Sequence, residues 1–180
     1  APFCKGAKVL DLFCYTGGFS VSAAVAGAAE VTGVDVKLEW LELAEKNAAL
    51  NGVDDRVNFI EGDVFEVIRD MAGRHERFDL IILDPPSFLK TRESLAAAAR
   101  GYKELNFHAM SILKPGGVLG TFSCSHNMPN ETFSECLKKA AKEAKREFTV
   151  LKRCHQAEDH PIVRSIPETE YLKGYFLKVQ

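Results

Sequence analysis

No apolar run in these 180 residues is long enough to span a bilayer, and the first residues lack the pattern of a secretory signal. The five cysteines, an odd number, are scattered at positions 4, 14, 124, 136 and 154 without a C-x-x-C pair. They support neither a disulfide framework nor a zinc site, and they fit a reducing, cytoplasmic setting. Nor is positive charge in excess: 23 Lys and Arg against 25 Asp and Glu leave a net charge of −2. No overall basic field therefore marks a nucleic-acid binder, although a local patch would suffice. Internal repeats and low-complexity tracts are absent. What is there, 46% hydrophobic residues in a chain of one-domain length, is enough for a substantial core.

The rest of the chain is organised around Val9–Ser20, VLDLFCYTGGFS. Val9–Phe13 has strand length and holds one acid, Asp11. Tyr15, Thr16, Gly17 and Gly18 form a turn, and Phe19–Ala26 reads as a helix. Strand, glycine-rich turn and helix open a nucleotide-binding α/β unit. The glycines let the backbone pass close to a ligand, and the helix start offers free N–H groups. The spacing is not G-x-G-x-x-G, no lysine awaits a phosphate, and Asp11 would repel a pyrophosphate. A carboxylate beside the turn suits a ligand with a cationic end and no phosphate, as in S-adenosylmethionine.

Further acids follow at strand ends. Glu30–Val34 is β-rich and ends in Asp35, placed to accept hydrogen bonds from ribose hydroxyls. Lys37–Asn51 has helical period, with Leu38, Leu41, Ala44 and Ala48 on one face. Val57–Ile60 predicts a third strand, and Asp63 just beyond it can accept from an adenine amino group, cap the helix Val64–Met71, or do both. Phe78–Leu83 is continuously apolar, as a central parallel strand is, and runs into Asp84-Pro85-Pro86-Ser87-Phe88. The two prolines end the strand and hold Asp84 at the carboxyl edge of the sheet, where open α/β sheets bind ligands.

Ser94–Leu113 predicts a helix that carries Arg100-Gly101-Tyr102-Lys103-Glu104-Leu105-Asn106. Lys114–Gly117 reads as a turn and Val118–Phe122 as a fifth strand, ending in Ser123-Cys124-Ser125-His126. Cys124 stands between small polar residues on the edge that carries the four acids, which makes it the one cysteine expected to be reactive. Asn130–Glu147 predicts an amphipathic helix with a lysine-rich outer face. Phe148–Cys154 and Tyr171–Val179 predict a final strand pair, with a long link between them.

Five βα units with acids after the first four strands resemble the class I methyltransferase fold: a mostly parallel, Rossmann-like sheet, helices on both faces and a C-terminal antiparallel hairpin. Taken together, DLFCYTGGFSV, DPPSF, RGYKELN, TFSCSH, DHP and YLKGYFLKV are similar to the bacterial and archaeal family of 23S rRNA cytosine carbon-5 methyltransferases that carry an N-terminal PUA domain. The resemblance covers nearly all of residues 1–180 as one catalytic domain. It leaves the PUA domain outside the chain, whose abrupt start is that of a piece of something longer.

The resemblance implies S-adenosylmethionine as donor and S-adenosylhomocysteine as product. Asp11 and the turn Tyr15, Thr16, Gly17, Gly18, Phe19 would hold the methionine part, Asp35 the ribose and Asp63 the adenine. Cys124 would be the nucleophile and Asp84 would hydrogen-bond the pyrimidine, beside the donor. Pro85 and Pro86 would line the substrate, and Tyr102 and Lys103 would touch RNA or brace the Asp84 loop. Ribosomal RNA is the implied partner; a homodimer is compatible with the chain, and a membrane is not expected. Two other readings stand beside this one. A different acceptor (guanine, protein or small molecule) predicts that Cys124→Ala leaves activity intact. A non-catalytic binding module predicts donor binding without turnover.

Overall fold

The computed structural model describes residues 2–88 and 95–180. Its strands are β1 (Lys8–Leu12), β2 (Glu30–Asp35), β3 (Val57–Glu61), β4 (Phe78–Leu83), β5 (Leu113–Ser123), β6 (Phe148–Cys154) and β7 (Lys173–Val179). The helices are α1 (Gly18–Val25), α2 (Leu38–Leu50), α3 (Val64–Gly73), α4 (Leu95–Ile112) and α5 (Asn130–Glu143). All seven strands share one sheet in the order β3-β2-β1-β4-β5-β7-β6. β1 to β5 are parallel, and the β6–β7 hairpin closes the sheet antiparallel against β5. This is the α/β, Rossmann-like methyltransferase fold.

The two-residue period of the strands divides the core between the faces. Leu10, Leu12, Ile81, Leu83 and Leu119 pack with Ile68 of α3, Leu105 of α4 and Phe133 of α5. Val9, Leu80, Ile82, Val118 and Phe122 face the other way, toward Ala23 and Ala24 of α1 and Ala48 of α2. β4 needs apolar residues on both faces because it lies at the centre of the sheet, which explains Leu80–Leu83; Asp79, near the strand start, pairs with Lys114. Parallel pairing brings the carboxyl ends of β1 to β5 to one edge, where every candidate site residue after a strand collects.

Three expectations change. Leu113 opens β5 rather than ending the preceding helix. Phe78 pairs with Leu113 and Leu80 with Val118, so the expected turn Lys114–Gly117 is looped out within the strand as a bulge. The last helix stops at Glu143, because Lys145 takes φ 53° and the Arg146 N–H turns back to the Ala141 carbonyl. Leu38, expected on the buried face, is 54% exposed in the first turn of α2, while Leu41, Ala44 and Ala48 are buried. Ser94, the expected start of the fourth helix, lies outside the described residues.

Candidate active site

At the end of β1 the chain makes a bend that propensity alone would not choose. Phe13 and Tyr15 both have positive φ, 65° and 50°, on either side of Cys14. Non-glycine residues in this region carry strain, which tends to gather at functional sites. The Tyr15 N–H donates to Asp35 Oδ2 at 2.9 Å, and Asn47 Nδ2 donates to the Thr16 carbonyl at 2.9 Å. Gly17 follows with φ 78°, and a Cβ there would lie 3.0 Å from that of Ala44, so no side chain fits. Around Gly18, by contrast, the same test meets nothing within 4 Å. The turn is held from behind and open in front, at the uncapped start of α1.

Asp11 is 1% exposed beneath that turn. Ser20 donates to it from its hydroxyl to Oδ2 at 2.6 Å. Asp11 Oδ1 is buried with no hydrogen-bond partner among the described residues. Burial pushes the Asp11 carboxyl up to about 7; Ser20 pulls it down, and Asp84 and Asp35 add to the rise. A buried carboxylate with one orphaned oxygen is a receptor for a cationic group.

Asp35 is buried at the end of β2, with Oδ1 accepting from the Val36 N–H at 2.7 Å and Oδ2 from Tyr15. Oδ1 also accepts from the Lys37 N–H at 3.4 Å, so Oδ2 is the oxygen that keeps a lone pair for a hydroxyl donor. Asp63, exposed, uses Oδ1 to cap α3 at the Phe65 and Glu66 N–H groups, 2.8 and 3.2 Å away. Its capping role is thus in place. Phe19 lies in the first turn of α1. Its ring stacks on Phe122 with centroids 6.1 Å apart and lines an apolar cavity with Phe3, Ile82 and Phe176, so only its backbone belongs to the turn.

Across the centre of the sheet, Asp84 follows β4, and burial raises its carboxyl above the ordinary range. The Cys124 thiol, half-buried at the end of β5, donates to the Pro85 carbonyl with Sγ 3.8 Å away. Burial and the Asp84 charge push this thiol up; the Cys124 and Ser87 N–H groups and the Lys173 ammonium pull it down. Lys173 Nζ donates to the Ser125 carbonyl at 2.7 Å.

Beneath the cysteine runs a chain of hydroxyls. Ser123 Oγ donates to the Tyr102 hydroxyl at 3.0 Å, which lies 3.1 Å from Ser125 Oγ, itself 2.9 Å from Ser87 Oγ. The two serines flanking Cys124 are thereby tied to α4 and to the Asp84 loop. Tyr102 is fully buried, so it offers RNA no surface, contrary to one of its expected roles. Lys103 is placed on the α4–α5 surface, where Nζ pairs with Glu143 at 2.5 Å, away from the carboxyl edge.

Sequence reading passed over Ser20, Asn47, Ser123, Ser125 and Lys173. The serines around Cys124 were visible in TFSCSH as small polar residues, and Lys173 sat inside an apparent strand. Nothing local marked Ser20 as a partner of Asp11.

Residues 4–169 match the family model described as a methyltransferase domain. The chain is 48% identical over 180 residues to "Ribosomal RNA large subunit methyltransferase I" of Shewanella denitrificans, covering 99% of this chain and 45% of the relative. The protein of the same name from Erwinia tasmaniensis is 44% identical over 178 residues, covering 98% and 45%. The chain thus spans less than half the length of these curated relatives. Among solved structures, SMU.776 complexed with SAH superposes with a TM-score of 0.85 at 29% identity, over 97% of this chain and 46% of that one. The tRNA m1G37 methyltransferase of M. jannaschii superposes at 0.66 with 21% identity, over 99% and 44%, a likeness of fold.

Proposed function

The chain belongs to the methyltransferase-domain family, and from that premise we propose that it uses S-adenosylmethionine to form 5-methylcytosine in large-subunit rRNA. The donor assignment is supported by the SAH in the SMU.776 structure and by the donor set on the page. The orphaned Asp11 Oδ1 suits the cationic amino end, the remaining lone pair of Asp35 Oδ2 suits a ribose hydroxyl, and the exposed Asp63 suits the adenine amino group. When bound, the donor supplies an electrophilic methyl group on a sulfonium sulfur. The acceptor class follows the names of the relatives.

The observation that carries the cytosine assignment is Cys124 on the Asp84–Pro85 loop. Carbon 5 of cytosine is a poor nucleophile. Cys124 gives its proton to solvent water and Sγ adds to carbon 6, which makes the ring enamine-like and lets carbon 5 take the methyl group. Asp84, inclined by burial to hold a proton, donates to the ring nitrogen as electron density builds there. A base, water or side chain, then removes the carbon-5 proton, and the Sγ–carbon 6 bond breaks to restore Cys124. The resting thiol is raised, so it needs help to ionise; Lys173 and two backbone N–H groups give part of it.

The test uses bulk rRNA from cells lacking the enzyme and compares wild type with Cys124→Ala, reading 5-methylcytosine by nucleoside mass spectrometry. Each protein is assayed alone and fused to the remaining portion of the Shewanella denitrificans relative. The mark appears with wild type and vanishes with the variant. Equal methylation by both would make Cys124 structural and remove the cytosine assignment with it.

A further inference from the structure

Beyond Cys124, the β5–α5 loop and the β6–β7 hairpin enclose a cleft of about 380 Å³. Its polar walls are His126, Asn130, Arg153, His155, Glu170 and Lys173. In a chain of net charge −2, this places Arg153 and Lys173 together with two histidines against Glu170. Register explains the clustering: Arg153 pairs with Tyr175 and Cys154 with Gly174 across the hairpin, which brings Arg153 beside the β7 start that carries Lys173.

The Arg153 guanidinium is exposed, with no hydrogen bond or ion pair among the described residues. A free arginine in a cleft is suited to an anion, because its fork donates to two oxygens of one phosphate. The 14-residue helix α5 begins at the same rim with Pro129 as its N-cap, so no side chain satisfies its first N–H groups. Glu131 in that first turn offsets part of the positive end. Tyr175 anchors the rim by donating to Asn130 Oδ1 at 2.7 Å.

The cleft also reaches the chemistry. Lys173 lines it while donating to the Ser125 carbonyl, one residue from Cys124. The donor's cationic end is assigned to Asp11, across β4 and β5 from the hairpin, so the cleft is left to the acceptor.

We propose that this cleft takes a backbone phosphate of the acceptor RNA next to the nucleotide presented to Cys124, with Arg153 as its ion-pair partner. The proposal rests on the RNA reading above. Phosphate contacts fix strand position without reading sequence, and a nucleotide turned out of its stack needs its backbone held beside it. Arg153 is therefore a substrate-positioning contact, while Lys173 joins the cleft to the nucleophile.

The test reads binding apart from methyl transfer. Protein-free large-subunit rRNA is titrated with wild type, Arg153→Ala and Arg153→Lys from about 50 to about 200 mM salt. Arg153→Ala should weaken binding about tenfold and lower the slope of log affinity against log salt by about 0.7 to 0.9, the share of one phosphate. Arg153→Lys should restore most of the slope. In turnover, Arg153→Ala should raise KM and leave kcat within about twofold, as loss of uniform binding does. Unchanged affinity and slope in Arg153→Ala, or no RNA binding by wild type, would overturn the proposal. An Arg153-dependent slope alongside methylation that survives Cys124→Ala would keep the cleft and sink the cytosine reading instead.

Discussion

The two halves of the carboxyl edge are built differently. On the β1–β2–β3 side the acids are already engaged by donors: Asp11 by the Ser20 hydroxyl, Asp35 by the Tyr15 and Val36 N–H groups, Asp63 by those of Phe65 and Glu66. On the β4–β5 side, burial raises both Asp84 and Cys124, and the Asp84 charge raises the thiol further. Below them lies a chain of neutral hydroxyls that holds position without supplying charge. Both halves hold a carboxyl raised by burial, Asp11 and Asp84; the first surrounds its acids with fixed donors, while the second sets a thiol beside its acid. The donor and acceptor sites proposed above are thus separated by the β1–β4 boundary.

The sharpest break between the halves is Cys124→Ala. We expect methyl transfer to cytosine to fall by about a thousandfold or more, as loss of a nucleophile does. Donor binding, read by calorimetry, should stay within about twofold. Asp11→Asn should do the reverse, weakening donor binding by about a hundredfold, the scale of one buried charge-assisted contact.

The same substitution should raise the melting temperature of the free chain. A carboxyl moved from 3.8 to about 7 works against folding in its charged form by on the order of 4 kcal/mol. Between those values the folded chain binds a proton that the unfolded chain has lost. Stability should therefore fall as pH rises from about 4 through about 7, and Asp11→Asn should flatten that slope in thermal melts. Donor affinity should run the other way, rising with pH up to about 7 as Asp11 ionises.

Tyr102→Phe sharpens the comparison from the acceptor side. Removing the hydroxyl leaves Ser123 and Ser125 short of a partner in a buried site, and should cost about 1–3 kcal/mol of stability. Its kinetic signature should be a several-fold loss of kcat with donor affinity unchanged. Lys103→Ala should do least: its partner Glu143 is a surface ion pair, so stability should change by less than about 1 kcal/mol and turnover by less than about twofold.

The acids and Cys124 could be read from the chain because each lies within the last residues of an apolar, strand-length run or just after it, and a parallel sheet sends all such positions to one edge. Ser20 could not be paired with Asp11, because the connection depends on Phe13 and Tyr15 adopting left-handed backbone, for which neither has a propensity. Tyr102 and Lys103 are neighbours in RGYKELN, yet one is fully buried and the other lies on the surface. Helical period alone left both roles open. Arg153 and Lys173 are 20 residues apart and meet only through the register of the β6–β7 hairpin. The bulge at Lys114–Gly117 escaped for a related reason: a Pro-Gly-Gly run reads as a turn whether or not the strand resumes on both sides.

The central claim, a covalent role for Cys124 facing a preorganised donor site, is tested most directly with 5-fluorocytosine in the acceptor RNA. Fluorine at carbon 5 cannot leave as a proton does, so the Sγ–carbon 6 bond should persist after methyl transfer. Mass spectrometry of digested complexes should place a methylated fluorocytosine on the Cys124 peptide, only when the donor is present, and not in Cys124→Ala. Normal methylation of unsubstituted RNA with no such adduct would contradict the account.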